Sequence, residues 1–189
     1  MSVYLVRHGA TEWSESGRHT GRTDVPLTAA GEAEALALAP ALAQVPFSQV
    51  LVSPMTRARR TAELAGFRTA QVDPDLNEWD YGDYEGVTTE QIRESVPEWT
   101  AWTHPSPGGE TAEQVAVRLD RVVAKTRAVA GNTLVFAHGH CLRALAARWL
   151  AEPVASGRFY RLDTSTFSVL DYEREQPVIQ AWNVPVLAD

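Results

Sequence analysis

Short apolar runs alternate with longer stretches of helical period along this chain. Residues 3–6, Val-Tyr-Leu-Val, form an apolar run that stops at Arg7-His8-Gly9, and such a run predicts a buried strand. Residues 49–52 and 133–137 have the same character and predict two more. Residues 28–43 are rich in Ala and Leu, with Thr28 placed to cap and Glu32 and Glu34 near the start, which predicts a helix that Pro40 should kink or end. Ser53-Pro54 reads as a cap followed by proline at the first helical position, opening a helix that passes Arg57 and stops at Gly66. Residues 69–72 suggest a third strand in chain order, and 73–86 a turn-rich loop of acidic and aromatic residues. Thr88 with Gln91, and Thr111 with Gln114, have capping-box spacing. The first pair opens a short helix before Pro97. The second opens a long one, whose Val115, Leu119, Val122 and Val123 make an apolar stripe that ends before Gly131. After Ala137 a helix runs through Trp149, and strands follow at about 166–172 and 178–182.

This alternation predicts an α/β fold with a mainly parallel sheet covered on both faces. With 189 residues the chain is expected to be a single domain over 1–189, since cores split only beyond about 250–300 residues and no linker or repeat divides it. No apolar run reaches the roughly 18 residues of a membrane span, and Arg7 interrupts the first one too early for a signal peptide. Cys141 is the lone cysteine, which excludes an intrachain disulfide and fits a reducing, cytoplasmic location. A net charge of −7 lacks the footprint of a nucleic-acid binder, so an anionic ligand would have to be held by a local cluster.

Two predicted strands end in His-Gly: His8-Gly9 and His138-Gly139. Open α/β sheets bind ligands at the carboxyl ends of their strands, so both imidazoles fall where chemistry is expected. Arg57 follows a third such exit, near a helix N-terminus, where a guanidinium is unfavourable unless an anion lies between. In the 76–86 segment, Glu78, Asp80, Asp83 and Glu85 stand among Trp and Tyr, a setting that raises carboxyl pKa values and suits a general acid; any of the four could serve. A calcium loop fits poorly, because Glu78 stands where its glycine belongs. Zinc on His8, His138 and His140 is disfavoured by the adjacent arginines and the absent spacing motifs. Cys141 lacks the Cys-x5-Arg loop of cysteine phosphatases and reads as a small core residue, while His19 and His104 read as exposed loop histidines.

Taken together, Arg7-His8-Gly9-Ala10-Thr11-Glu12-Trp13, the 20–28 segment, Ser53-Pro54-Met55-Thr56-Arg57-Ala58, Pro107-Gly108-Gly109-Glu110 and His138-Gly139-His140 resemble the phosphoglycerate-mutase-like branch of the histidine phosphatase superfamily. The resemblance implies a three-layer α/β/α sandwich and a phosphohistidine mechanism with no metal or other cofactor. It assigns His8 as nucleophile, Arg7, Arg57 and His138 to the phosphoryl oxygens, and Glu78 as proton donor. Thr20, Gly21, Tyr81, Gly139, His140 and Arg143 match positions near the substrate. Ser14 stands where the family commonly has Asn. The 78–86 segment is similar to that of acid phosphatases and sedoheptulose-bisphosphatase-like members rather than true mutases. The expected activity is therefore hydrolysis of small phosphorylated metabolites, sugar phosphates or bisphosphates among them, with phosphoglycerate mutase as the alternative and a non-catalytic phospho-ligand binder behind it. The expected partner is a small phosphorylated substrate, with no nucleic acid and no membrane; assembly into a homo-oligomer stays open.

Overall fold

A computed structural model describes residues 1–186. In chain order its elements are β1 (Val3–Arg7), α1 (Glu12–Glu15), α2 (Ala29–Leu42), β2 (Phe47–Val52), α3 (Thr56–Leu64), β3 (Gln71–Val72), α4 (Thr89–Ser95), α5 (Ala112–Arg127), β4 (Asn132–Ala137), α6 (Gly139–Trp149), β5 (Thr166–Glu173) and β6 (Gln176–Pro185). Short 3-10 turns lie at Pro74–Leu76, Gly82–Tyr84 and Val154–Phe159. The strands form one sheet in the order β3-β2-β4-β1-β5-β6. β1, β2, β3 and β4 run parallel, whereas β5 pairs antiparallel with β1 and β6 antiparallel with β5.

Each face of the sheet carries its own core. On one, Val6, Val52, Leu134 and Phe136 pack against Leu38 and Leu42 of α2 and Ala58 and Ala62 of α3. On the other, Leu5, Val135 and Ala137 meet Leu119 and Val122 of α5 and Leu142 and Leu145 of α6. That second core extends into a cluster of Trp79, Tyr81, Trp99 and Trp102 under the long 73–111 connection. The three-layer sandwich with a mostly parallel sheet is thus present.

The register of the central strands sets the functional end. Arg7 lies opposite Ala137, so His8 and His138 leave the sheet side by side, and His8 N–H donates to Ala137 O at 3.0 Å. β2 ends one pair away, and Ser53 N–H donates to Phe136 O at 2.9 Å, which brings Ser53 to the same rim. The amino end of α2 presses on the turn after His8. A Cβ at Gly31 would lie 2.2 Å from Ala10 O, and one at Gly9 2.3 Å from Gly31 O, so only glycine allows that approach.

Four local expectations change. α3 begins at Thr56 with Met55 as its cap residue, not at Ser53-Pro54. Ser53 Oγ is taken by His138 at 2.7 Å, and the first turn is capped from a distance, with Thr56 N–H and Oγ donating to the Asp24 carboxylate. Pro40 lies inside α2, which continues to Leu42. The strand expected at 69–72 shrinks to Gln71–Val72, while β6 is longer than its apolar pattern suggested because Gln176–Pro185 pairs along β5.

Candidate active site

At the carboxyl end of β1, β2 and β4 lies a cavity of about 190 Å³. Its wall includes Arg7, His8, Glu78, Tyr81, His140 and Arg143.

His8 enters as the first residue after β1, and its chemistry follows from one hydrogen bond. Its Nδ1 is 2.8 Å from Gly9 O, and a carbonyl only accepts, so Nδ1 carries the proton and Nε2 holds the lone pair. Burial, then the charges of Arg57 and Arg7, hold its pKa well below the ordinary histidine value. The imidazole is therefore neutral, with an unprotonated nitrogen to offer.

His138 follows β4 and is fully buried, its ring 5.2 Å from that of His8. Arg57 Nε–H donates to His138 Nδ1 at 3.1 Å, which leaves the proton on Nε2 and directs it to Ser53 Oγ. Burial and Arg57 depress its pKa as well.

Arg57, in the first turn of α3, is also fully buried. Besides Nε, its Nη1 donates to Thr23 O and its Nη2 to Thr20 O and Gly21 O, at 2.9, 3.1 and 3.3 Å. The sequence argument required an anion beside this guanidinium. Three carbonyl oxygens of the 20–23 loop stand there instead, so Arg57 lies buried behind the cavity lining, with one N–H uncommitted. Arg7 differs. Its Nη1 donates to Leu162 O at 2.5 Å, yet its Nε is buried without a partner. A charged donor left unsatisfied at a cavity wall is costly unless a ligand oxygen meets it.

The carboxylate choice left open by spacing is narrowed by position. Glu78 shares the His8 cavity, while Asp80 pairs with Arg22 and Glu85 faces the other side of the 20–23 loop. Glu78 takes N–H bonds from Trp79 and Cys141 on Oε1, both 2.8 Å, and from His140 on Oε2 at 3.0 Å, so it seats against the amino end of α6. Burial raises its pKa; those N–H donors and Arg57 pull the other way without cancelling it. A carboxyl that holds its proton above the usual range is the result.

Tyr81 Oη lies 2.7 Å from His140 Nδ1, and burial pushes the Tyr81 phenol well up and the His140 imidazole well down. Arg143 lines the cavity but is anchored to Gly157 O and Arg158 O, its guanidinium 4.7 Å over the Trp102 ring. Gly139 borders the site, where a Cβ would sit 3.4 Å from the Arg7 guanidinium. Thr20 borders it too, whereas Gly21 lies behind, contributing its carbonyl to Arg57 rather than to the cavity.

His19, read from sequence as exposed, belongs to the site. Its ring lies 4.7 Å from that of Tyr81, tilted against it, and meets the Trp99 ring edge-on at 5.1 Å, and burial lowers its pKa to about 4. No sequence signal distinguished it from His104, because the aromatic partners come from 62 or more residues downstream. Ser14 Oγ is spent on Thr11, accepting from its N–H and donating to its carbonyl. Cys141 is buried, its thiol pushed up to about 12, as a core residue should be.

A neutral imidazole lone pair, an unsatisfied arginine and a proton-holding carboxyl around one cavity define an α/β enzyme that receives an oxyanion at the strand ends. The chain belongs to the histidine phosphatase superfamily (branch 1), whose family model matches residues 3–185. It is 42% identical over 175 residues to an acid phosphatase of Mycobacterium tuberculosis, covering 90% of this chain and 86% of the relative. It is 37% identical over 179 residues to the sedoheptulose 1,7-bisphosphatase of Saccharomyces cerevisiae, covering 77% and 66%. A solved structure of an open reading frame product from Mycobacterium tuberculosis superposes with a TM-score of 0.95 at 38% identity, covering 98% of each chain. Within the superfamily the chain is a phosphatase, a phosphoric monoester hydrolase. Among the described residues no helix is long and apolar enough to cross a membrane.

Proposed function

We propose that the protein hydrolyses small phosphomonoesters, sugar phosphates among them, by way of a phosphohistidine on His8. The observation that carries this reading is the tautomer of His8, which leaves Nε2 unprotonated in the cavity that Arg7 and Glu78 also line. In the first step Nε2 attacks phosphorus in line. The N–P bond forms, the ester P–O bond breaks, and the Glu78 proton passes to the departing alkoxide. In the second, water attacks phosphorus and gives its proton to the Glu78 carboxylate, and the N–P bond breaks to release phosphate and restore His8. Nδ1–H stays on Gly9 O throughout and steadies the ring. Arg7 Nε and the uncommitted Arg57 N–H are the donors for the equatorial oxygens. His138 holds Arg57 in place, and its Nε2–H reaches a phosphoryl oxygen by leaving Ser53. Tyr81, His140, Thr20, Gly139 and Arg143 enclose the alcohol portion.

Mutase chemistry is the weaker reading. It needs a second anionic group held while the intermediate turns, and between Trp79 and Glu110 the only Arg or Lys is Arg93, whose Nε is bound to Trp99 O. The buried thiol of the lone Cys141 supports action in the cytoplasm, which fractionation of cells expressing the tagged chain would check. The central test is a quench during turnover of labelled substrate. Wild type should retain a base-stable, acid-labile label that His8→Ala lacks; label on His8→Ala, or full activity in it, would overturn the assignment.

A further inference from the structure

Glu85 has no place in the steps above, yet its carboxylate is bonded to two backbone N–H groups of the loop that holds Arg57. Its Oε1 and Oε2 each lie 3.0 Å from Gly21 N, and Oε1 lies 2.9 Å from Thr23 N. The approach is close enough that a Cβ on Gly21 would stand 2.8 Å from Glu85 Oε2 and 2.6 Å from Trp79 O. The Gly21 N–H belongs to the same peptide unit as Thr20 O, which accepts from Arg57 Nη2. One peptide therefore lies between an anion and a cation, with its N–H end on Glu85 and its C=O end on Arg57. At Thr23 the two contacts fall on neighbouring peptide units, its N–H meeting Glu85 and its carbonyl meeting Arg57 Nη1, so the loop is tied to both charges a second time.

We infer that Glu85 is a positioning residue for phosphoryl transfer, acting through the 20–23 loop as the remote counter-charge that fixes Arg57. The physical reasons are two. Charge-assisted bonds from a carboxylate to backbone N–H groups are among the stronger local restraints and fix a loop that has no regular structure of its own. A peptide polarised at its N–H end by an anion is also a better acceptor at its carbonyl end, so the cation it holds is held more firmly. Without that restraint the carbonyls drift, Arg57 Nε leaves His138 Nδ1, and the uncommitted N–H loses its aim at the phosphoryl group. Glu85 touches no reacting atom.

The inference rests on the assignment of Arg57 to the phosphoryl oxygens, and a double-mutant cycle separates the two. Glu85→Gln keeps the shape but removes the charge and sets an amide donor against the Gly21 N–H. Glu85→Gln, Arg57→Ala and the double variant would be compared for kcat and KM on p-nitrophenyl phosphate. Backbone amide exchange at Gly21 and Thr23, and circular dichroism, would be followed alongside. Glu85→Gln should lower kcat about ten-fold, with faster exchange at both amides and an intact fold. In the Arg57→Ala background it should cost less than about two-fold, because coupled residues are not additive. Glu85→Asp, with charge but shorter reach, should lie between Gln and wild type. If Arg57→Ala is severely impaired while Glu85→Gln has wild-type kcat, or if the two losses simply add, the inference is wrong though the site assignment stands. If Arg57→Ala is itself active, the site assignment fails first. Should Glu85→Gln not fold, Thr23→Pro removes one of the N–H groups alone and must reproduce the kcat loss.

Discussion

Replacing Glu78 by Gln removes one titratable proton and almost no volume, so it isolates the proton-transfer step. In the structure the carboxyl accepts from Trp79 and Cys141 on one oxygen and from His140 on the other. A glutamine carbonyl can keep the first two, but its amide then faces the His140 N–H, and leaving that buried donor unsatisfied costs about 1–3 kcal/mol. Relief of a carboxylate buried to 8% exposure offsets part of this, so the variant should fold. General acid catalysis contributes roughly 10²–10⁴ in rate, and that loss is expected on alkyl phosphates, whose alkoxides leave poorly without a proton. On p-nitrophenyl phosphate the leaving group is a weak base, and the loss should fall below about ten-fold on the same argument. The pH profile gives a second reading. Burial raises the folded pKa of Glu78, so the wild-type alkaline limb should lie above the usual carboxylate range and be absent in the variant. Burial with Arg57 and Arg7 depresses His8, so the acid limb should lie below the usual histidine range in both. Stability carries the same sign. A folded pKa above the unfolded one gives a contribution present below the unfolded value and lost as pH rises through the folded value, a slope that Glu78→Gln should lack. Equal losses on the two substrates, with the alkaline limb retained, would show that Glu78 positions and does not donate.

Arg57→Ala should lower kcat by about 10²–10³, while incubation with EDTA leaves wild-type rates unchanged; inactivation by EDTA that zinc reverses would contradict an arginine-built site. Gly31→Ala should lower Tm, because its methyl meets Ala10 backbone at 2.2 Å and overpacking costs about 1–3 kcal/mol, more than the helix-propensity gain of up to about 1. A rise in Tm, as at an open helical glycine, would refute the close approach. With 3-phosphoglycerate, with or without 2,3-bisphosphoglycerate, phosphate release should exceed isomerisation; rapid formation of 2-phosphoglycerate with little phosphate would favour the mutase reading.

What the sequence by itself determined were the features whose cause is local. Apolar runs at β1, β2 and β4 and the capping pairs at Thr88 and Thr111 declared their elements, because strand burial and N-cap geometry act within a few residues. The strand-end positions of His8 and His138 were legible for the same reason. The tertiary structure decided everything that depends on partners distant in the chain. Spacing left four carboxylates equal, and only the packing of the 73–86 segment against the amino end of α6 put Glu78 over the cavity and turned Glu85 away. The N-terminus of α3 shifted because Asp24 and His138, far from Ser53 in sequence, claimed the groups that would have capped it. The two tautomers, the carbonyl cage around Arg57 and the burial of His19 likewise have no local signature. They arise when the parallel register of β1 and β4 sets two histidines side by side and loops from separate parts of the chain close around them.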